Sequence, residues 1–474
     1  MEQTMNPADT IVAVSTPSGS GGIAVIRLSG PDAFRIADSC WKGKRLAETA
    51  THRVRFGKLT DENGDTLDEC VATVFRSPGS YTGEDTVEFA VHGSPWIQRE
   101  AVKRLVSMGA RPAAPGEFTR RAFINGKIDL AQAEGVADVI ASKSRAAHRL
   151  AIRQMNGTFS AGLDRLREQL TDLASLLELE LDFSEEDVEF ADRQKLLDLA
   201  RQGLRATRRL VDSYSAGKAL KEGVPVAIAG RPNAGKSTLL NELLGEEKAI
   251  VSDIPGTTRD VIEDTAEING VLFRFFDTAG LRATEDAVER IGVERARASI
   301  RRAAIVLWLV DVSESKHLLS AIREAADAAA SLPDSIHILL LTKSRLTSPS
   351  VMGIKETLYN DIAPELGCRF ENILEISVKE GFGIGELRKE LSLKAMQGID
   401  DEGELVLTNA RHHEALRAGA ESLERVVEGL ETGLSGDFIA QDLREALHHI
   451  AAVTGAITTD TLLTTIFSRF CIGK

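Results

Sequence analysis

The sequence predicts a multidomain protein that combines α/β and all-α parts, and three observations predict this class. Short β-branched runs and one helical segment occupy the first 120 residues. Two later regions repeat apolar residues at three- and four-residue spacing, which is typical of amphipathic helices. Between these regions, apolar runs alternate with helical stretches, as in a largely parallel sheet with helices on both faces. A helical region on each side of an α/β unit indicates that this unit is inserted into a helical domain.

Length, charge and cysteine content limit the function classes. The 474 residues allow roughly two to four domains. The net charge of −14 argues against nucleic-acid binding by a global basic field, so any such contact must use a local patch. The four cysteines form no CxxC pair, which argues against a structural zinc site or a disulfide framework. No apolar run reaches a membrane-spanning length and no signal peptide is visible, so we expect a cytoplasmic protein.

The N-terminal region, placed at residues 1–120, has the pattern of a small α/β domain. Its strands are expected at 10–14, 23–28, 71–75 and 86–91, and its helix at 97–108. Glycine-rich segments at 17–22 and 78–85 separate strands, and each by itself is compatible with a plain turn.

Long amphipathic helices dominate the regions placed at 121–215 and 385–474. They are expected at 131–154, 163–181, 196–213, 409–431 and 438–453, with a linker at 216–223. The acidic residues within 178–189 indicate a solvated helix end or face rather than a metal site.

The inserted α/β unit, placed at 216–384, contains a candidate phosphate-binding loop. The predicted strands are 224–229, 272–276, 305–310, 336–341 and 373–376. The sequence GRPNAGKST at 230–238 follows the first strand and leads into a predicted helix at 239–244. This strand–loop–helix context is the one that a phosphate-binding loop needs.

Each residue type in this loop has a physical reason. Gly230 and Gly235 allow a tight turn, so that successive N–H groups can point at phosphate oxygens. The start of the next helix adds its dipole and its free N–H groups. Lys236 places a cation on the β and γ phosphates, and the Ser237 hydroxyl can ligate Mg²⁺. A glycine- and lysine-rich surface loop is the alternative, but the flanking strand and helix favour phosphate binding.

Two further segments occur where a GTPase needs them. The sequence DTAG at 277–280 directly follows a predicted strand, so Asp277 can hold Mg²⁺ through water and the Gly280 N–H can meet the γ-phosphate. The sequence GTTRD at 256–260 precedes that strand, and Thr258 can supply a second hydroxyl to Mg²⁺. Together and in this order, the three segments predict a P-loop GTPase.

The chain resembles the MnmE (TrmE) family of tRNA-modification GTPases over essentially its whole length. The similar segments are 230–238, 252–260, 277–282, 288–292, 81–85, 115–119, 125–134 and the C-terminal Phe-Cys-Ile-Gly-Lys. The resemblance implies an N-terminal α/β tetrahydrofolate-binding domain, an all-α helical domain and an inserted P-loop (Ras-like) α/β G domain.

The resemblance also implies a nucleotide site with two metal ions. Its GTP-binding residues would be Asn233, Ala234, Gly235, Lys236, Ser237, Thr238, Ser252, Asp253, Ile254, Pro255, Gly256, Thr257, Thr258, Asp277, Thr278, Ala279, Gly280, Thr342, Lys343 and Ser377. The Mg²⁺ ligands would be Ser237 and Thr258, and the K⁺ ligands would be Asn233, Ser252, Ile254 and Thr257. The K⁺ ion would supply the charge that an arginine finger supplies elsewhere.

Catalytic roles are implied for Lys236, Glu289 and Cys471. Glu289 matches the residue that orients the attacking water, and the alternative is an exposed helix carboxylate. Cys471 matches a cysteine proposed to take part in the modification chemistry, and the alternative is a free, partly exposed thiol.

A folate site is implied by four charged residues, Arg27, Glu84, Lys127 and Lys474. They match positions that bind 5-formyl- or methylene-tetrahydrofolate. Such charges suit a ligand with a glutamate tail and a pterin ring. Without the resemblance, all four would be interpreted as ordinary surface charges.

One segment departs from the family pattern. The guanine-reading motif Asn-Lys-x-Asp should follow the strand at 336–341, but the sequence there is Thr342-Lys343-Ser344-Arg345. Arginine has only donors, so Arg345 cannot accept the two guanine N–H groups. Loss of the carboxylate could cost about 1.5–3 kcal/mol of guanine preference, and we therefore expect relaxed base specificity.

The leading hypothesis is an enzyme that helps to install a carboxymethylaminomethyl-type group at C5 of the tRNA wobble uridine. The resemblance implies a homodimer formed through the N-terminal domain and a heterotetramer with an FAD-binding MnmG (GidA)-type partner. GTP hydrolysis would drive the closing and opening of the G domains, and the folate would deliver one carbon. A regulatory GTPase, for example in ribosome assembly, and a GTP-gated scaffold are the alternatives, and neither of them needs the folate residues.

Overall fold

The computed structural model describes residues 9–182, 193–245, 263–276, 300–313, 318–344, 370–397, 405–468, 470 and 473. The chain divides into two compact units. The first consists of Met1–Ile140, Ile152–Arg201 and Glu421–Lys474, and the second of Ala141–Ala151 and Gln202–Ala420. No helix in the described ranges is long and apolar enough to span a bilayer.

The described strands and helices alternate along the chain as the predicted class requires. The strands are β1 (Ile11–Val14), β2 (Ile23–Ser29), β3 (Trp41–Lys42), β4 (Arg53–Thr60), β5 (Thr66–Phe75), β6 (Thr86–His92), β7 (Arg111–Pro112), β8 (Val224–Gly230), β9 (Glu263–Ile268), β10 (Val271–Phe276), β11 (Ile305–Asp311), β12 (Ile336–Thr342) and β13 (Asn372–Ile376). The helices are α1 (Ala33–Ser39), α2 (Pro95–Ser107), α3 (Glu117–Ile124), α4 (Leu130–Ala141), α5 (Arg145–Met155), α6 (Thr158–Asp182), α7 (Arg193–Glu222), α8 (Lys236–Leu244), α9 (Leu318–Ala330), α10 (Ile384–Ala395), α11 (Ala410–Thr432), α12 (Gly436–Thr454) and α13 (Asp460–Phe467).

A seven-stranded sheet in the order β3-β4-β5-β6-β2-β1-β7 forms the N-terminal part of the first unit. All neighbours pair antiparallel except β1 and β7, which are parallel. Because successive side chains of a strand face opposite sides, Ile26, Ala72 and Phe89 are buried together on one face, against α1 and α2. The four strands predicted in this region are confirmed.

The helical part of the first unit contains α6 and α12, which pack along each other. The C-terminal helix α13 packs on α4, where Leu463 and Phe467 are buried against Leu130 and Ala133. The long helices predicted at 163–181, 409–431 and 438–453 are confirmed. Most of the acidic segment discussed above lies outside the described residues.

A six-stranded sheet in the order β13-β12-β11-β8-β10-β9 forms the centre of the second unit. Its neighbours are parallel except for the β9–β10 hairpin. Apolar side chains fill both faces, with Leu239 of α8 and Leu387 of α10 in one layer and Ile322 of α9 in the other. The prediction of a largely parallel sheet covered by helices on both sides is confirmed.

Two predictions about helix boundaries are wrong. The helix expected at 131–154 is interrupted, because the Ser144 hydroxyl accepts a hydrogen bond of 3.2 Å from the Ala147 N–H and so caps a new helix, α5. Most of the linker expected at 216–223 is the last part of α7, which ends at Glu222 and is followed by Gly223 with φ of +100°. The apolar Leu220 keeps this part helical, because it is buried in the core of the second unit.

Candidate functional site

The backbone at the end of β8 and in the loop after it favours glycine at two positions. Gly230 has φ of +149°, and a Cβ there would lie 2.5 Å from the Leu309 carbonyl oxygen. Gly235 has φ of +98° and immediately precedes α8. Asn233 also adopts a left-handed conformation, with φ of +64°. Such a sequence of conformations turns the backbone N–H groups toward one side, where an anion can bind.

The Lys236 ammonium lies over this loop. Its Nζ donates hydrogen bonds to the carbonyl oxygens of Gly230 and Arg231, both at 2.8 Å. These two bonds hold the cation beside the first N–H groups of α8, which have no partner within the helix. The loop therefore presents a cation and the backbone N–H groups of a helix start to the same position, as phosphate binding requires.

Two side chains of the loop are open to metal ligation. In the part of the chain that the structure describes, neither the Ser237 hydroxyl nor the Asn233 amide makes a hydrogen bond, and both residues are exposed. Oxygen ligands of this kind fit Mg²⁺ at Ser237. Across the described ranges, no three His, Cys, Asp or Glu side chains cluster as a separate metal site.

The end of β12 is tied to the phosphate loop. The buried Thr342 hydroxyl donates a hydrogen bond of 2.9 Å to the carbonyl oxygen of Ala234. The next residue, Lys343, has φ of +60° and forms an ion pair with Asp311 at the end of β11. Burial alone would raise the pKa of the Asp311 carboxyl, but hydrogen bonds from Lys343 and Ser313 hold it below its ordinary value.

The parallel register brings these ends to one edge of the sheet. Leu309 pairs with Gly230, Asp311 with Thr342, and Thr342 with Ile376. Ser377 follows directly and exchanges two backbone hydrogen bonds of 3.0 and 3.1 Å with Phe382. The sequence-predicted residues of the loop, Thr342, Lys343 and Ser377 therefore lie at the carboxyl edge of the same sheet, where ligands of open α/β sheets bind.

Many predicted site residues lie outside the described residues. These are Ser252, Asp253, Ile254, Pro255, Gly256, Thr257, Thr258, Asp277, Thr278, Ala279, Gly280, Glu289, Arg345, Cys471 and Lys474. Their assigned roles, and the expectation about base specificity, stay predictions.

Arg27 of the N-terminal sheet lies between an acid and two aromatic rings. Its Nε donates to Glu88 on the neighbouring strand at 2.7 Å. Its guanidinium carbon lies 5.4 Å from the centroid of the Tyr81 ring and 5.5 Å from that of Phe118, within the range of cation–π attraction. Burial raises the pKa of Tyr81, so its hydroxyl stays protonated and shares a hydrogen bond of 3.0 Å with Thr119.

The other two described members of the predicted folate set lie in loops: Glu84 lies between β5 and β6, and Lys127 between α3 and α4. The Glu84 carboxylate accepts hydrogen bonds from Ser29 at 2.8 Å and from Arg121 at 3.1 Å. The Lys127 ammonium donates to the carbonyl oxygen of Pro78 at 2.9 Å. Glu84 and Lys127 also flank Gly83, because a Cβ on Gly83 would lie 3.2 Å from Lys127 Cγ.

The C-terminal segment contacts the same sheet. The carbonyl oxygen of Gly473 accepts a hydrogen bond of 3.0 Å from the Ser15 hydroxyl, just after β1. Gly473 has φ of +97°, and a Cβ there would collide with the Val14 carbonyl group. Since Ala13 of β1 pairs with Arg27 of β2, the tail reaches the strand pair that carries Arg27.

Sequence reasoning missed two residues at these sites. Arg121 contacts Glu84, and a usable signal was its four-residue spacing from Glu117 in a helical stretch. Asp311 contacts Lys343, and the signal was its position directly after a predicted strand of a parallel sheet.

Two family models match the chain. One describes the MnmE helical domain and matches residues 130–471. The other describes the GTP-binding protein TrmE N-terminus and matches residues 10–127.

Curated relatives match nearly the whole chain. The tRNA modification GTPase MnmE of Cytophaga hutchinsonii is 47% identical over 470 residues, which cover 99% of this chain and 98% of the relative. That of Christiangramia forsetii is 47% identical over 474 residues, which cover 98% of this chain and 99% of the relative. Among solved structures, a GTP-binding protein from Sulfolobus solfataricus in complex with GDP covers 49% of this chain and 67% of its own, at 16% identity and a TM-score of 0.29. A TM-score this low adds nothing about the site.

Proposed function

The chain belongs to the MnmE family of tRNA modification GTPases and is a GTP hydrolase that acts in tRNA modification. On this premise we propose that its GTP hydrolysis depends on potassium and that it acts at C5 of the tRNA wobble uridine. It adds a carboxymethylaminomethyl-type group there, with a one-carbon folate and an FAD-binding MnmG-type partner. We propose that this reaction takes place in the cytoplasm. The proposed domains are the N-terminal domain at 1–120, the first part of the helical domain at 121–215, the G domain at 216–384 and the second part of the helical domain at 385–474.

The phosphate loop supports the hydrolytic part of the proposal. Lys236, which lies over the loop, would neutralise charge that develops on the β and γ phosphates, and the N–H groups of the loop would add preorganised donors. Ser237 would hold Mg²⁺ and Asn233 would hold K⁺, because both side chains are exposed and uncommitted within the described ranges. Bound there, the two cations would supply positive charge to the transferred phosphoryl group.

The N-terminal sheet supports the folate part. Arg27 offers a guanidinium that aromatic rings flank, and Glu84 offers a carboxylate on the adjacent loop. Lys127 extends from the same region and would pair with the glutamate tail of a folate. Lys474 is the fourth member of the proposed set, and the hydrogen bond between Ser15 and Gly473 supports its inclusion.

An exposed apolar face supports a homodimer through the N-terminal unit. On the face opposite α1 and α2, Phe56 and Val54 of β4 are 70% and 54% exposed. Phe56 is the cross-strand neighbour of Val71, which pairs with Ala90 of β6. An apolar row of this kind on a sheet face is typical of an interaction surface.

The observation that carries the proposal is the full-length similarity together with the docking of the tail beside the Arg27 strand pair. Calorimetric titration of the full chain with 5-formyl-tetrahydrofolate tests it. We expect binding that Arg27→Met weakens at least about tenfold, while Arg53→Met, an exposed arginine of β4, leaves it unchanged. We also expect GTP hydrolysis to be faster in K⁺ than in Na⁺. Folate binding that is absent from the wild type, with GTP hydrolysis intact and equal in both salts, would favour the regulatory GTPase.

A further inference from the structure

We propose that Arg121 is a positioning residue that fixes the Glu84 carboxylate for the folate. This inference rests on the proposed function and adds to it a residue that no motif assigned.

Arg121 is almost fully buried and directs its guanidinium at Glu84. Its Nη1 donates to both carboxylate oxygens at 3.1 Å and to the backbone carbonyl of Asp9 at 2.7 Å. The Arg121 side chain is 6% exposed, whereas that of Glu84 is 17% exposed. Glu84 therefore has one side turned to a buried cation and another side open to solvent.

A second buried carboxylate fixes the guanidinium. Nη2 of Arg121 donates to Glu117 at 3.1 Å, and Glu117 also pairs with Arg111 through two bonds of 2.7 and 3.1 Å. Burial alone would raise the pKa of Glu117, but Arg111, the Ala114 N–H and Arg121 hold it below its ordinary value. Glu117 is therefore ionised, and the planar fork of Arg121 cannot rotate away from Glu84 without losing an ion pair.

The orientation of Glu84 matters because a carboxylate has only about four acceptor positions. Arg121 and Ser29 occupy those on the inner side, at 3.1 and 2.8 Å. The remaining positions point outward and are fixed in direction. Ligand N–H groups, such as those on the edge of a pterin ring, then meet a preorganised acceptor, which reduces the entropy lost on binding.

Substitutions at Arg121, measured by titration of the full chain with 5-formyl-tetrahydrofolate, test this role. We expect Arg121→Gln to weaken binding at least about tenfold, because the carboxylate loses its charge-assisted donor. Arg121→Lys should weaken it about threefold or more, because an ammonium cannot span Glu84 and Glu117 together. Arg53→Gln, at an exposed arginine of β4, is the control and should change binding less than about twofold. Thermal unfolding identifies any variant that fails to fold, in which case Arg121→Lys provides the comparison.

A double-mutant cycle separates positioning from a general structural effect. If Arg121 acts through Glu84, the double variant Arg121→Gln/Glu84→Gln should lose no more affinity than Glu84→Gln alone. Additive losses, or wild-type affinity in both Arg121 variants, overturn this inference while the folate function stands. A wild-type chain that binds no folate overturns the proposed function and this inference with it.

Discussion

At the scale of single residues, Thr342 connects the end of β12 to the candidate phosphate-binding loop. Its hydroxyl lies 2.9 Å from the Ala234 carbonyl oxygen and 3.3 Å from that of Val310, and the residue is buried. A hydroxyl at this position thus fixes the distance between two parts of the candidate nucleotide site.

Replacement of Thr342 by Val tests this connection. Thr342→Val keeps the shape but leaves the Ala234 carbonyl without its side-chain donor, so GTP affinity should fall roughly two- to tenfold. Thr342→Ser keeps the hydroxyl and should bind GTP nearly as the wild type does. Fluorescence titration with a labelled GTP measures both. Equal affinity in the Val and wild-type chains would show that the bond has no role in binding.

Residues within a short motif could be predicted from the sequence, whereas partners far apart could not. Gly230, Lys236 and Ser237 follow from the chemistry of one loop and its flanking strand and helix. Arg121 and Glu84 are 37 positions apart, and only the folded sheet and α3 bring them together. The pairing of Lys343 with Asp311, 32 positions apart, has the same cause.

At the scale of elements, apolar periodicity predicted the long helices and the buried strands. Burial of one helix face repeats apolar residues at three- and four-residue spacing, and burial of a whole strand produces a short apolar run. It missed β9, whose sequence EDTAEI is largely polar, because this strand lies at the edge of the sheet and pairs with β10 alone. It also missed the break before α5, which depends on the single capping contact of Ser144.

The C-terminal segment provides a test at this scale. Gly473→Ala places a Cβ against the Val14 carbonyl in a left-handed conformation, so it should release the tail from β1. We expect weaker binding of 5-formyl-tetrahydrofolate and faster proteolysis of the C-terminal segment. Gly126→Ala is the matched control, because Gly126 has φ of +67° but no atom within 4 Å of a Cβ. Proteolysis at the wild-type rate in Gly473→Ala would contradict the docking.

At the scale of the whole molecule, the alternation of helical and α/β regions was enough to predict the architecture. It could not predict which surfaces associate, because an exposed apolar row depends on the strand register. Phe56, Val71 and Ala90 lie on three different strands, and only their pairing places them side by side.

The oligomeric state tests the role of this surface. Phe56→Lys should convert a dimer into a monomer in light scattering, because a charge would have to be buried in the interface. Leu319→Lys is the matched control, since Leu319 is 56% exposed on α9 of the second unit. A Phe56→Lys chain that keeps the mass of a dimer would exclude this face as the interface.

The two outermost strands of the seven-stranded sheet, β3 and β7, have only two residues each. Pro112 in β7 has no N–H to offer to an incoming strand. A sheet margin templates fibrous growth only where it presents a row of unused donors and acceptors. The margin at β7 offers no such row, so copies of this chain should not associate strand to strand there.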